Sequence, residues 1–172
     1  MNPQGVRKPA WRAFELLNGA GEWQVGVTVQ DPTSAKASHA SDISAFATVD
    51  QEACEGAAAS SCNLQLFLAN FAPMEGVVVH PRPSVPKNVT VQFPLPISSD
   101  TVLVTVIDDD TCNASRVWES LGSPQYPTAA QLKLLHLASV PARDLSIPVR
   151  KGGLVDLQLA PYAVVHIRVP TD

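Results

Sequence analysis

The chain has 172 residues, of which 45% are hydrophobic and 16% are charged, and this composition is typical of one globular domain, or one domain plus a remnant of another. A net charge of -4 with only twelve scattered Lys and Arg residues excludes the concentrated basic surface of nucleic-acid-binding proteins. No apolar run approaches the roughly 20 residues that a membrane span needs, and the first 14 residues lack the apolar core of a secretory signal.

The first predicted element is a helix from Pro9 to Leu17. Pro9 suits a first helical turn and Gly19 suits the end of a helix. The apolar residues fall on one wide face at helical spacing, and that face needs a large surface to cover it. Packing on the sheet of the same domain is the simplest explanation. The face comprises Ala10, Ala13, Phe14 and Leu17, with Trp11 widening it.

Short segments of alternating apolar and polar residues follow, separated by turns and by polar loops at residues 31–42 and 50–61. Fifteen prolines also favour strands linked by turns over long helices. These patterns predict a mainly β fold, a β-sandwich of seven to nine short antiparallel strands with two helices. The predicted strands are Gly26–Val29, Ile43–Val49, Leu64–Phe71, Val77–Val79, Asn88–Phe93, Thr101–Ile107, Leu145–Val149, Leu154–Leu159 and Val164–Val169.

The strand pattern is interrupted by the stretch VWESLGSPQYPTAAQL, residues 117–132. Val117–Leu121 is interpreted as one helical turn. Thr128 and Gln131 form a capping-box pattern, which predicts that a second helix starts at Thr128. Farther along, Gly152 and Gly153 predict a turn between two strands.

The cysteines and two glycosylation triplets bear on the compartment of the protein. Cys54 and Cys62 flank a small flexible loop, so a disulfide is expected if the chain is exported, and two free thiols are the alternative. Asn88 and Asn113 each begin an N-glycosylation triplet. Together these features favour an exported protein, although the chain shows no signal peptide.

No pattern for catalysis, metal binding or cofactor binding emerges. The three aspartates Asp108–Asp110 do not match a calcium loop, and the cysteines and histidines lack zinc-site spacing. Cys112 as a nucleophile with His136 or His166 as base lacks the flanking residues of cysteine proteases. The histidines are therefore interpreted as surface or packing residues, and we expect no cofactor and no metal.

Aromatic side chains are the remaining candidates for a binding role. Trp11, Trp23, Trp118, Tyr126 and Tyr162 are each able to stack on a sugar ring, although packing in a core or an interface is the commoner use of isolated aromatics.

Two stretches resemble glycoside hydrolase family 39, the β-xylosidase and α-L-iduronidase group. RKPAWRAFELLNGAG resembles the segment that ends the catalytic barrel of the family, where Lys8 and Pro9 would open the last barrel helix. VWESLGSPQYPTAAQLKLL resembles a segment of its C-terminal β-sandwich, through a motif formed by Trp118, Gly122, Pro124, Pro127 and Thr128. IDDDTCNAS and the closing APYAVVHIRV are similar to further family segments.

The resemblance implies a division into residues 1–21, a remnant of the last barrel helix, and residues 22–172, a C-terminal accessory β-sandwich. It implies that Gly122, Pro124 and Pro127 set the path of a crossover, and that Trp118 and Tyr126 anchor it in apolar pockets. It also implies that Ala10, Trp11, Phe14 and Leu17 face a (β/α)8 barrel, either in the same chain or in a separate one.

The resemblance implies that the parent enzyme hydrolyses O-glycosidic bonds with retention, using two glutamates. Neither glutamate motif matches a position here, so we assign no catalytic residue and expect this chain alone to be inactive. The parent is expected in a secreted or lysosomal setting. The alternative is a stand-alone β-sandwich that binds a glycan or docks on a partner protein.

Overall fold

The computed structural model describes residues 5–30, 43–50, 62–71, 85–93, 97 and 99–170. Over these residues it contains three helices and eight strands. In chain order they are α1 (Pro9–Leu17), β1 (Trp23–Val25), β2 (Ile43–Val49), β3 (Gln65–Asn70), β4 (Lys87–Gln92), β5 (Thr101–Ile107), α2 (Ala114–Ser120), α3 (Ala129–Ala138), β6 (Ala142–Pro148), β7 (Leu154–Leu159) and β8 (Val164–Arg168).

The strands form two antiparallel sheets that enclose one apolar core. The larger sheet has the order β1-β2-β3-β8-β5-β6, and the smaller one pairs β4 with β7. Alternate residues of the strands point into the core, as the period of two predicts. The predicted mainly β sandwich is therefore confirmed. Core side chains from both sheets include Val49, Leu66, Leu68, Val102, Val104, Val155, Leu159, Val165 and Ile167.

Strand β8 lies in the middle of the larger sheet, between β3 and β5. Val165 and Ile167 point into the core and are almost fully buried. His166, between them, lies on the other face and is also buried. The continuous apolar character of this segment correctly predicted a buried closing strand, because a central strand covered on both faces has no solvated side.

A buried asparagine joins the two sheets at one end. Asn70 is 0% exposed, and its Nδ2 donates to the carbonyl oxygens of Val85 at 2.8 Å, Ala160 at 2.9 Å and Leu159 at 3.3 Å. These carbonyls belong to the segments at the start of β4 and the end of β7. A buried carbonyl without a donor is costly, so this one amide stabilises the attachment of the small sheet.

The outer face of the larger sheet carries a stack of rings. The Phe46 and Phe67 ring centroids are 4.7 Å apart, and those of Phe67 and His166 are 4.3 Å apart, in both cases with nearly parallel planes. Nε2 of His166 lies 2.9 Å from Oε1 of Gln65, whose Nε2 donates to the carbonyl of Gly19 at 3.0 Å. The outer face of the sheet is thereby linked to the segment between α1 and β1.

A second apolar cluster joins α2 and α3 to the segment before α1. Val6 is buried among Ala114 of α2, Leu135 of α3 and their neighbours. The predicted capping box is confirmed, since the Thr128 hydroxyl accepts from the Gln131 backbone and the Gln131 side chain accepts from the Thr128 backbone. The segment predicted as a single turn at Val117–Leu121 is a helix that starts earlier, at Ala114, because Asn113 caps it.

One predicted strand is misplaced. The first strand is Trp23–Val25 rather than Gly26–Val29. Gly21 lies so close to β2 that a Cβ there would sit 2.5 Å from the Val49 backbone, and Trp23 pairs with Val49. The chain therefore pairs with β2 at Trp23–Val25, before it reaches the predicted strand Gly26–Val29. The predicted strand Val77–Val79 and most of both polar loops lie outside the described residues.

Replacing Asn70 with Ala is expected to lower the free energy of unfolding by about 2–4 kcal/mol, because the hydrogen bonds from its buried amide to three backbone carbonyls are lost. Asn88, exposed on β4, offers the matched control, and Asn88→Ala should change stability by less than about 0.5 kcal/mol. Urea unfolding of the unglycosylated protein measures both. Equal stability of the two variants would contradict a role for Asn70 in attaching the small sheet.

The stability of the protein is expected to fall as the pH falls. Burial lowers the pKa of His166 to about 4 from 6.5, with a further lowering by the charge of Arg168. Between these two pH values the unfolded chain binds a proton that folded His166 does not bind. Unfolding is therefore favoured on acidification, by up to about 3 kcal/mol.

Urea unfolding at pH values between about 7 and about 4 measures this dependence. His166→Phe keeps a ring in the stack and should flatten the pH dependence, whereas His136→Gln, on the exposed side of α3, should leave it unchanged. Parallel stability curves for the wild type and His166→Phe would show that His166 is not responsible.

Candidate functional site

Helix α1 is held on the sandwich by its polar side. Nε of Arg12 donates to the carbonyl of Ser139 at 2.8 Å, beyond the end of α3. Arg12 also pairs with Glu15 at 2.8 Å, and Arg7 forms a second ion pair with Glu15. Desolvation raises the pKa of Glu15, but hydrogen bonds from Arg12 and Trp11 and the charges of Arg12 and Arg7 outweigh it, so the pKa is lowered. Glu15 is thus a structural anion, unlike the raised-pKa carboxyl that a glycosidase uses as its acid.

The opposite side of α1 is apolar and exposed. Phe14 is 70% exposed, Trp11 46% and Leu17 38%, and Ala10 is exposed beside them. No residue of α1 is buried. The simplest explanation from the sequence, that this face packs on the domain's own sheet, is wrong for these four side chains. The structure brings all four residues predicted to face a barrel together on one open surface, and the identity of the surface that covers them stays a prediction.

Lys8 and Pro9 start this helix. Lys8 is the N-cap with an extended backbone and makes no side-chain cap, and Pro9 follows it in the first turn. A proline at this position costs no hydrogen bond, because the first backbone amides of a helix have no partner within it.

The crossover between α2 and α3 turns sharply at a glycine. Gly122 has a φ of +82° and ends the helical segment, and no atom lies within 4 Å of where its Cβ would be, so the glycine is required by its conformation. Nε1 of Trp118 donates to the carbonyl of Pro124 at 3.2 Å and closes this loop. Trp118 is 37% exposed.

Tyr126 does not anchor the crossover in an apolar pocket of the described chain, since its side chain is 83% exposed. The Pro124 carbonyl is bound by Trp118, and the chain then runs along the surface toward Pro127 and Thr128. Trp118 therefore stabilises the crossover by a hydrogen bond as well as by partial burial. An anchoring role of Tyr126 against another protein surface stays a prediction.

The cysteines fall into two environments. Cys62 is buried and disulfide-bonded, while Cys54 lies outside the described residues. Cys112 is a buried free thiol whose Sγ donates to the Ser139 carbonyl at 3.2 Å. Burial raises the pKa of Cys112, which opposes thiolate formation and agrees with a structural role.

The two glycosylation triplets differ in their surroundings. Asn88 is exposed on β4. Asn113 caps α2, and its Nδ2 donates to Asp109 Oδ1 at 3.0 Å. The Asn88 nitrogen is thus the more accessible of the two, and glycosylation of either residue stays a prediction.

The three successive aspartates serve a turn. Oδ1 of Asp108 accepts from the backbone amides of Asp110 and Thr111 at 2.9 and 2.7 Å, and from the Thr111 hydroxyl at 2.9 Å. Asp110 pairs with Arg116. These contacts explain the aspartates without a ligand, and no group of three metal-ligating side chains occurs among the described residues.

A second surface, which sequence reasoning missed, is a polar cleft between α1 and the outer face of the larger sheet. It has a volume of about 280 Å³, and its lining includes Glu15, Thr105, Arg143, Asp144, His166 and Arg168. The sequence did contain one indication of this cleft. Some otherwise apolar strands carry a polar residue at a single position, such as Thr105 in TVLVTVI. The convergence of these residues depends on pairing between distant strands, which local patterns do not reveal.

None of the helices in the described part of the chain is long and apolar enough to cross a membrane.

Comparison with known proteins identifies the family. The sequence model of glycosyl hydrolases family 39 matches residues 1–156. Among curated protein sequences, none matches this chain.

Solved structures share the fold. A monomeric β-xylosidase from Caulobacter crescentus CB15 is 21% identical with a TM-score of 0.68, over 99% of this chain and 32% of that one. A family 39 enzyme from Xanthomonas axonopodis pv. citri is 20% identical with a TM-score of 0.61, over 100% of this chain and 32% of that one. The chain thus spans about a third of the length of these proteins. By the match of the family model over most of its length, the chain belongs to glycosyl hydrolase family 39.

Proposed function

We propose that this chain is the accessory β-sandwich of a family 39 glycosyl hydrolase, and that the exposed face of α1 packs on the catalytic barrel. The single observation that carries the proposal is that this face, formed by Ala10, Trp11, Phe14 and Leu17, is apolar and open while the other side of the helix is fastened to the sandwich. A contiguous apolar helix face of this kind marks an interface with another protein surface.

The comparisons support the placement of the sandwich in such an enzyme. Nearly the whole of this chain matches about a third of the length of β-xylosidases and other family 39 enzymes. In this proposal residues 1–21 belong with the barrel and residues 22–172 form the accessory domain. The barrel, in the same chain or in another, carries the two glutamates for a retaining hydrolysis of O-glycosidic bonds.

The role of this chain would be to support the barrel structurally. A sandwich that buries its own core presents a rigid surface, and α1 would attach that surface to the outside of the barrel. The disulfide-bonded state of Cys62 and the accessible triplet at Asn88 support an oxidising compartment, secreted or lysosomal, as the place where the enzyme works.

A second candidate function, glycan binding by the sandwich itself, is favoured by one observation. Tyr126 lies two residues beyond the Pro124 carbonyl that Trp118 binds and is 83% exposed, so its ring is open to a sugar ring. Tryptophan fluorescence during titration with xylan- or glycosaminoglycan-type oligosaccharides would detect such binding through the neighbouring Trp118.

The proposal is tested by the native product in its source cells. Immunoblotting with an antibody to the sandwich should detect either a product well above the 18.3 kDa of this chain or a chain of that size that co-purifies with a glycosidase barrel. A product near 18.3 kDa that is free of any barrel would overturn the proposal and direct attention to glycan binding.

Replacing Phe14 with Glu is expected to reduce self-association of the purified chain, because a charge on the open apolar face opposes its burial against a second copy. The unfolding free energy should change by less than about 0.5 kcal/mol, since Phe14 is 70% exposed. Analytical ultracentrifugation and urea unfolding measure the two effects.

Leu145→Glu provides the matched control, since Leu145 is 43% exposed but lies on the edge strand β6. It should leave association unchanged. If Phe14→Glu instead unfolds the protein, α1 packs on its own sandwich and the interface proposal fails.

A further inference from the structure

The polar cleft between α1 and the larger sheet contains a histidine nitrogen that is available as an acceptor. Because Nε2 of Gln65 donates to the Gly19 carbonyl, its Oε1 is an acceptor, and Nε2 of His166 must carry the proton that it shares with that oxygen. Nδ1 of His166 therefore has a free lone pair. The lowered pKa of His166, caused mainly by burial, keeps the ring neutral at pH 7.

This Nδ1 atom is reached through the cleft. His166 is only 5% exposed, and Nδ1 forms no hydrogen bond within the described part of the chain. No side-chain nitrogen or oxygen among those residues is both fully buried and without a partner, so Nδ1 is at least slightly exposed. Since His166 lines the cleft, the cleft provides that access.

A hydroxyl lies next to the histidine. Thr105 of β5 pairs directly with His166 of β8, which places both side chains on the outer face as cross-strand neighbours. Thr105 is 4% exposed, lines the same cleft, and its hydroxyl makes no side-chain hydrogen bond to the described residues. The floor of the cleft thus offers an acceptor and a hydroxyl that have no partner among the described residues.

The cleft is lined by two cationic side chains, Arg143 and Arg168, and by two anionic ones, Glu15 and Asp144. Arg168 pairs with Asp144, and Glu15 is already neutralised by Arg7 and Arg12. Arg143 lines the cleft and forms no ion pair with any residue of the described ranges. A guanidinium group without a carboxylate favours an anion, and its planar fork matches a carboxylate in particular.

We propose that this cleft binds a small hydroxycarboxylate. The carboxylate accepts hydrogen bonds from Arg143 and from the Thr105 hydroxyl, and the neighbouring hydroxyl of the ligand donates to Nδ1 of His166. A volume of about 280 Å³ corresponds to roughly nine water molecules, which is room for a three-carbon acid with part of its hydration shell. The cleft lies on the side of α1 that faces the sheet, and the apolar residues Trp11, Phe14 and Leu17 are not among its lining residues.

Lactate is the probe that tests the proposal on the purified chain. Titration at pH 7 should change the ¹⁵N shift of His166 Nδ1 in the direction of an accepted hydrogen bond and should raise the melting temperature. Acetate, which has no hydroxyl, should bind at least about tenfold more weakly and leave the Nδ1 shift unchanged. Inorganic phosphate should also bind more weakly than lactate.

Two substitutions locate the site. Arg143→Gln should weaken lactate binding at least about tenfold, and Thr105→Val, which keeps the shape of a buried side chain, should weaken it several-fold. Arg116→Gln, a change of the same kind on exposed α2 away from the cleft, should have no effect.

Three results would overturn the proposal. These are an unchanged Nδ1 shift at lactate concentrations in the tens of millimolar range, equal affinity for acetate, phosphate and lactate, and undiminished binding by a folded Arg143→Gln variant.

Discussion

The side-chain amide of Gln65 is the contact on which the outer half of this molecule depends. It lies buried in β3 with its oxygen bound to His166 and its nitrogen bound to the Gly19 carbonyl. A buried amide must satisfy both ends, so it determines the tautomer of the histidine and the position of the segment after α1 together. Together with the hydrogen bond from Arg12 to the Ser139 carbonyl, it holds α1 over the sheet.

Helix α1 reverses the usual arrangement of an amphipathic helix. Surface helices normally turn their apolar stripe to the core and their charges to water. Here Arg12 and Glu15 face the protein, while Trp11 and Phe14 face outward. Water-exposed apolar area is unfavourable unless another surface removes it, at roughly 25 cal/mol per Å². The same geometry also leaves the polar cleft beneath the helix, because charged side chains do not fill space as a packed apolar contact does.

The sandwich beneath is unequal in its two layers. Six strands form one layer and two form the other over the described residues, so the small sheet has few ladder hydrogen bonds and depends on the common core. Asn70 adds a polar connection where the small sheet begins and ends. A domain built in this way has a stable centre and leaves its outer face open, as the proposed supporting role requires.

Local patterns in the sequence were sufficient for most elements of this fold. Alternation of apolar and polar residues predicted the bounds of β2, β5 and β7 as the structure has them, and the capping box predicted the start of α3. Both patterns are local, because side-chain direction in a strand and the first turn of a helix depend on neighbours in the chain. The family motifs around Pro9 and Trp118 were likewise readable without a structure.

Contacts between distant residues were decided only by the tertiary structure. Thr105 meets His166, and Gln65 meets Gly19, through strand pairing and helix placement that no local period encodes. For the same reason the sequence showed that α1 has an apolar face, but not that the face points away from the sandwich. Its direction depends on Arg12 reaching the carbonyl of Ser139, a contact between residues 127 positions apart in the chain.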